Sequence, residues 1–549
     1  MGYLGIRDFE DFSSAISSSL PHGILLFVGL DVDSLCACRI LTELLKLDFI
    51  PFRIVPVVTV SDVTRANESF FLANVDEQVP RTIIMINCAG LLDVSEIMGL
   101  DEDELTTIYI IDSHRPLNLY NVFGSERIYV IDDGDIESHE NDYLKAFEYL
   151  QQQDEEDEDD SDNESIDSLD LDPSKSVIAN AQIPYNELGK KDKRKRKAAY
   201  EESWKHYCTG LYKSTPCAYL MWCMTSVTEA YLSFSMNEEK YLFLYDTLKN
   251  EISKYNNFVE SNAELDKENT FMSTERLELF KDDNIEAKRE LKFFLMRHWT
   301  LYESMMYSSF LITRLRTWNE KGKMKLDLML SKIGIPLSIC KGPFGLIEKE
   351  IQNDFTDKFE KYSEEFRVTE FEFDSFIRRY GMKLTISASD MVYALYALLD
   401  PISTDNLSLF YSAYDALDSN NHSILIKGLD MAKEVQRFLV EQGNSIILNK
   451  RITPLKSFYL AMMNNANSSW LKKPNVLKQL AVHLMTALKE TGRDVTNPFV
   501  VAAKDDTSRI LTSVSFDKNK TVNAFQKTAQ DLKCSIEELD VIKTYKLFV

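Results

Sequence analysis

The strongest constraint on this chain is a recurrence near its start. Short apolar runs, ILLFVG (24–29), RIVPVVT (53–59), TIIMINC (82–88), TIYIID (107–112) and RIYVID (127–132), alternate with segments long enough to hold a helix. The runs are rich in Ile and Val and apolar on both faces, as strands buried in a parallel sheet are. Between the first two, DSLCACRILTELLKL (33–47) places Leu35, Cys38, Leu41, Leu44 and Leu45 near one helical face. Strand–helix alternation at this spacing predicts a doubly wound α/β domain, with ligand chemistry at the C-terminal strand ends.

Those strand ends are acidic. The first run leads into Gly29-Leu30-Asp31-Val32-Asp33, the third into Asn87-Cys88, the fourth into Asp112-Ser113-His114-Arg115, and the fifth into Asp132-Asp133-Gly134. In a parallel sheet all these ends share one edge, so Asp31, Asp33, Asp112 and His114 can converge there. Carboxylates with one imidazole suit a hard divalent cation such as Mn²⁺ or Mg²⁺. Two such ions about 3.5–4 Å apart would activate water and hold a phosphate. Acidic strand ends also serve as helix caps and turn formers, and Asp33 is placed to cap a helix beginning at residue 34.

The rest of the chain reads as several further units, because 549 residues exceed what one core accommodates. Residues 154–172 hold twelve acidic side chains and no basic one, and KKDKRKRK (190–197) holds seven basic residues in eight. Such a segment has little core to bury and reads as a solvated insertion, with Ser161, Ser165 and Ser168 open to phosphorylation. From 198 to about 390 the periodicity is helical and aromatic, the pattern of helix packing. After 390, helical runs alternate with NSIILNK, FVVAAKD and RILTSVSF, which read as strands of a smaller sheet, and NAFQKTAQDLK reads as a helix. The formal charge of −25 argues against a sequence-independent grip on DNA by the whole surface. Eight dispersed cysteines without a CxxC pair fit a reducing compartment; His206, Cys208, Cys217 and Cys223 match no common zinc spacing, and the cysteines read as buried thiols. No signal peptide and no apolar run of about 18 residues is visible, so the chain reads as soluble and intracellular.

GLDVDSLCACRIL (29–41) and IDSHRPLNLYNV (111–122) resemble two motifs of the cell division control protein 45 family. These are eukaryotic replication factors of the DHH phosphoesterase superfamily, which includes the RecJ single-strand exonucleases. The likeness continues through LMRHWTLYESM (295–305), RLRTW (314–318), GIPL (334–337) and SASDMVYALYALLD (387–400). It implies a DHH-like α/β domain over 1–150, an acidic then basic, largely disordered insertion over 151–197, and helices completing the first domain over 198–275. An all-helical interdomain region follows over 276–390, then a smaller DHHA1-like α/β domain over 391–549.

The resemblance also marks what is missing. Active superfamily members carry a metal-binding His where Gly29 stands, a bridging Asp where Asn87 or Cys88 stands, and a His where Ser113 stands. The Gly-rich, His-containing motif of the C-terminal domain is not recognisable. Asp31, Asp33, Asn87, Asp112 and His114 are then remnants of a degenerate metal site, without catalysis and with room for at most one weakly held Mn²⁺ or Mg²⁺. The resemblance further implies a nuclear factor that joins the MCM hexamer and the GINS complex in the replicative helicase, beside a replicative DNA polymerase and loading factors, with no membrane association. Single-stranded DNA would lie in a groove between the α/β domains. Arg115, Arg314, Arg316, Arg378 and Arg379 are candidate contacts, with Trp299 and Trp318 as nearby rings. Lys193, Arg194, Lys195, Arg196 and Lys197 form a candidate nuclear localisation signal. Two competing readings are an active Mn²⁺-dependent exonuclease or phosphoesterase, and an acidic adaptor acting through 154–172.

Overall fold

Apolar strands that cannot leave either face in water stack side by side until helices cover both, and this shapes the first part of the chain. The computed structural model describes residues 3–5, 16, 23–58, 60–72, 81–90, 92–99, 106–114, 117–132, 135–159, 216–233, 236–268, 285–380, 384–399, 406–418, 421–455, 459–464, 470, 474–493, 499–504 and 509–514. They fall into two units. The first takes the described residues up to Gly29 and those from Leu41 to 159; the second takes Leu30–Ile40 and those from 216 onward.

The first unit holds six parallel strands, β1 (Tyr3–Gly5), β2 (Ile24–Gly29), β3 (Phe52–Val57), β4 (Arg81–Ile86), β5 (Thr106–Ile111) and β6 (Ile128–Asp132). Their order is β1-β6-β5-β4-β2-β3. All five expected strands are present; the short edge strand β1 has too few residues to register as a pattern. Helices α1 (Val32–Leu47), α2 (Val60–Leu72), α3 (Val94–Met98) and α4 (Asp135–Asp159) follow β2, β3, β4 and β6. The division between the units runs through α1. One sheet face, built from alternate residues such as Leu25, Phe27, Ile83, Met85, Ile108, Ile110, Ile128 and Val130, packs with Val63, Val94, Met98 and Ile136 of the helices. The strand order reverses between β2 and β4, the position where doubly wound sheets open a crevice.

The second unit begins with α5 (Pro216–Leu232) and α6 (Glu238–Glu268). It continues with β7 (Ile285–Leu291), α7 (Leu301–Met306), α8 (Ser309–Leu315), α9 (Glu320–Ile333), α10 (Leu337–Cys340), α11 (Lys349–Ser363), β8 (Glu372–Tyr380), β9 (Leu384–Ser387) and α12 (Ala388–Leu399). It closes with α13 (Asn406–Ala416), α14 (His422–Leu448), β10 (Ile452–Pro454), β11 (Tyr459–Asn464), α15 (Pro474–Glu490), β12 (Phe499–Lys504) and β13 (Arg509–Val514). Strands β7-β8-β9 form an antiparallel sheet, and β10-β11-β12-β13 form the smaller mixed sheet.

Three local expectations are corrected. The stretch expected to be all-helical carries β7, β8 and β9, because Ile285 pairs with Arg378 and its neighbours with the rest of β8, a register set across the chain. The helical run expected across 290–323 breaks into short pieces, with Leu295 at φ 46 and Arg316 at φ 61 turning the backbone left-handed. NSIILNK is the end of α14, not a strand. Leu439, Val440, Gly443 and Ile446 continue the buried face of α14 into it. NAFQKTAQDLK and the residues from 160 to 215 lie outside the described residues. Among the described residues no helix is long and apolar enough to cross a membrane.

The core of the smaller sheet contains one titratable side chain with a large consequence. His483 on α15 is buried, its Nδ1 lies 3.1 Å from Ser309 Oγ, and its Nε2 has no partner. A Cβ on Gly443 of α14 would sit 2.6 Å from the ring, so the glycine is required by close approach. Burial pushes the imidazole pKa from 6.5 down to about 4. The fold therefore binds the neutral ring, and stability falls as pH drops through the window from 6.5 to about 4. Urea unfolding should show a loss of about 2 kcal/mol between pH 7 and pH 5 that His483→Gln removes. An unchanged loss in the variant would assign it to other groups.

Candidate functional site

The edge where β4 and β5 end is built around one carboxylate. Asp112 follows β5 with its side chain fully buried. Its Oδ2 accepts from the backbone N–H groups of Gly90 (2.8 Å) and Ala89 (3.3 Å). Its Oδ1 accepts from His114 N–H (2.9 Å) and lies 2.8 Å from His114 Nδ1. Against a carboxylate, Nδ1 is the protonated ring nitrogen. An ionised carboxylate offers about four acceptor sites, and these four donors occupy them. Gly90 permits the approach, since a Cβ there would lie 2.8 Å from Asp112 Cγ and Oδ2. Asn121 locks the same loop, accepting from Val94 N–H and donating to the carbonyls of Ala89 and Leu92.

Asn87, at the end of β4, has φ 49, and its amide oxygen accepts from Ser113 N–H (2.8 Å) and Ser113 Oγ (3.2 Å). The structure thus brings Asn87, Asp112, Ser113 and His114 together, with their polar atoms turned toward one another. Asp132, at the end of β6, accepts from the N–H groups of Ile136 and Glu137 and so anchors the first turn of α4.

Asp31 and Asp33 belong to the second unit. Asp31, not Asp33, caps α1: its carboxylate accepts from Ser34 N–H at 2.8 Å and Ser34 Oγ at 2.6 Å. Asp33 lies inside the helix and accepts from Ser226 Oγ on α5. Nearby, buried Glu229 accepts from Tyr396 OH, with Lys478 Nζ 3.7 Å away. Burial raises the Glu229 pKa, and Lys478 and Tyr396 oppose that rise. Among the described residues no three His, Cys, Asp or Glu side chains form a group that could hold a metal. Asp112 and Asn87 turn their oxygens to protein donors, and Gly29 has no side chain to offer as a ligand.

Two of the sequence segments singled out above meet in a buried ion cluster that local pattern did not reveal. Arg297 Nη1 lies 2.6 Å from Glu290 Oε1 and 3.4 Å from Asp390 Oδ2. Glu290 also accepts from Ser375 Oγ and Ser389 Oγ, and Asp390 accepts from Ser387 N–H while its own N–H donates to Ser387 Oγ. His298 Nε2 stands 3.3 Å from Asp390 Oδ2, off hydrogen-bond geometry but close enough for charge attraction. Burial alone would raise the Asp390 pKa; His298, Arg297 and the Ser387 N–H outweigh it and hold the carboxyl at about 2.

The candidate nucleic-acid arginines fare unequally. Arg378 is 1% exposed, with its guanidinium 4.4 Å from the Tyr380 ring centroid, so it is a core residue and not a surface contact. Arg314 stacks on Phe310 at 4.0 Å and reaches Glu490 at 3.7 Å. Arg379 pairs with Glu286 at 3.0 Å. Arg316 is exposed at the left-handed end of α8. Arg115 and Lys193–Lys197 lie outside the described residues. Trp299 is buried against Tyr307, with ring planes 7° apart, and Trp318 packs against the core of the smaller sheet. Cys36, Cys38, Cys88, Cys223 and Cys340 are buried, and burial pushes the Cys38 thiol up to about 12.

A sequence profile of the CDC45 family matches residues 24–211 and 208–538. The chain belongs to the CDC45 family. It is 29% identical over 565 residues to the Cell division control protein 45 homolog of Schizosaccharomyces pombe, across 90% of this chain and 87% of that protein. The human homolog is 26% identical over 561 residues, across 96% of this chain and 94% of its own length. The crystal structure of CDC45 from Entamoeba histolytica shares the fold with a TM-score of 0.64 at 22% identity, covering 100% of this chain and 99% of that one.

Two outcomes follow from this geometry. Asp112→Ala leaves buried N–H groups of Ala89 and Gly90 without acceptors and should cost about 2–4 kcal/mol in chemical denaturation, against about 1 kcal/mol for loss of the exposed-side cap in Asp31→Ala. Equal costs would mean that Asp112 is not the anchor of this edge. Asp390 contributes stability above its ordinary pKa of 3.8 that is lost as pH falls through about 2. Asp390→Asn should flatten the acid-unfolding profile in that window.

Proposed function

We propose that this chain is a non-catalytic DNA replication initiation and elongation factor, a subunit that joins the MCM hexamer and the GINS complex in the replicative helicase. The observation that carries the reading is the family match across both α/β regions, residues 24 to 538. The absence of catalysis is supported by Asp112 and Asn87, whose oxygens are already engaged by protein donors. A metal-bridging role needs an ionised carboxylate with lone pairs free for the cation, and an amide in its place cannot supply the charge. The DHH-like domain is then an inherited scaffold that needs no resident cofactor. The function lies on its surfaces, with nuclear entry through Lys193–Lys197.

Purified chain should hydrolyse neither single-stranded DNA nor a phosphodiester dye in Mn²⁺, and affinity purification from cells should recover MCM and GINS subunits. Metal-dependent hydrolysis abolished by Asp112→Asn would favour the exonuclease reading, and recovery of neither complex would overturn the helicase role. Single-strand affinity is part of the same proposal, and Arg316 is the candidate best exposed for it. Arg316→Gly suits the backbone at φ 61 while removing the charge. It should weaken binding to an oligothymidylate and lower the salt dependence by about one ion, read by fluorescence anisotropy. An unchanged salt slope removes Arg316 from the contact.

A further inference from the structure

Helix α9 combines features that burial and internal pairing leave unexplained. Its inner face, Leu326, Met329, Leu330 and Ile333, packs into the core shared by α7, α8 and α11. On its outer face Met324 is 68% exposed and Leu328 52% exposed, two large apolar side chains one turn apart. Lys321 and Lys325 lie on the same exposed stripe. Lys323 pairs with Glu320, and Lys332 with Glu365, but Lys321 and Lys325 have no ion pair among the described residues. The following helix, α10, packs against α9 and exposes Ile339. Single exposed apolar residues are ordinary; an i, i+4 pair flanked by unpaired cations on a chain of charge −25 is a patterned surface.

We infer that the Lys321–Met324–Lys325–Leu328 stripe of α9 is a docking surface for an acidic amphipathic helix of a partner protein. Such a helix would lay its apolar i, i+3/i+4 residues on Met324 and Leu328 and set flanking Glu or Asp against Lys321 and Lys325. Charge complementarity selects this occupant. A nucleic-acid backbone needs several cations acting together, and an anionic membrane a cluster of about four to eight. Two lysines on a strongly acidic chain meet neither requirement. The inference stands on this surface alone and does not depend on the replication reading.

The test uses the full chain and a fluorescein-labelled helical peptide with Leu on one face and Glu flanks, followed by anisotropy. Saturable binding is expected, weakened about tenfold or more by Met324→Glu with Leu328→Glu. Lys321→Glu with Lys325→Glu should weaken it about tenfold and transfer the preference to a peptide with Lys flanks. All four positions are exposed, so thermal melts of the variants should match the parent chain. The inference is overturned by absence of saturable binding, by equal binding of Glu- and Lys-flanked peptides, or by variants that bind as the parent does. It is equally overturned if the substitutions instead reduce binding to oligothymidylate or to vesicles containing phosphatidylserine. None of these outcomes bears on whether MCM and GINS are recovered from cells.

Discussion

A carboxylate buried at a strand end must find donors, and how Asp112 finds them sets the character of the first unit. Three backbone N–H groups and one imidazole surround it, which fixes the loop from Ala89 to Gly90 and ties β4 to β5. The same bonds engage both oxygens of the carboxylate. Displacing these backbone donors would cost about 1–3 kcal/mol for each group left unsatisfied. The aspartate thereby serves as architecture, holding the ends of β4 and β5 together.

The second unit repeats this logic with other acids. Glu290 and Asp390 are held by Arg297 and by neighbouring serines, with His298 Nε2 3.3 Å from Asp390. Glu229 is held by Tyr396 with Lys478 close by. Burying ions gains little net stability by itself, but each partner becomes costly to remove once the others are in place. These clusters connect segments far apart in sequence, such as β7, the turn after it and α12. They account for why LMRHW and SASDM both carry polar residues amid apolar runs.

The outer surfaces follow a different rule. Helix α9 leaves two lysines and two apolar side chains facing outward. Burial does not require that pattern, and pairing within the chain does not use it. Fold and function are separable, and such faces can carry function.

The parallel sheet was legible in the sequence because its signal is local: five Ile/Val-rich runs, four of them leading into an acidic or amide residue, leave few topologies that cover both faces. Asn87, Asp112 and His114 of the strand-end cluster were legible for the same reason. What the sequence could not supply was partnership. That Asp31 rather than Asp33 caps α1, that Arg378 and Trp299 belong to the core, and that β7 pairs with β8 all depend on contacts between residues distant along the chain. Burial of a charge, unlike periodicity, is decided by what arrives from elsewhere. So the sequence alone determined the fold class, and tertiary structure alone decided which polar groups are satisfied inside and which are left facing outward.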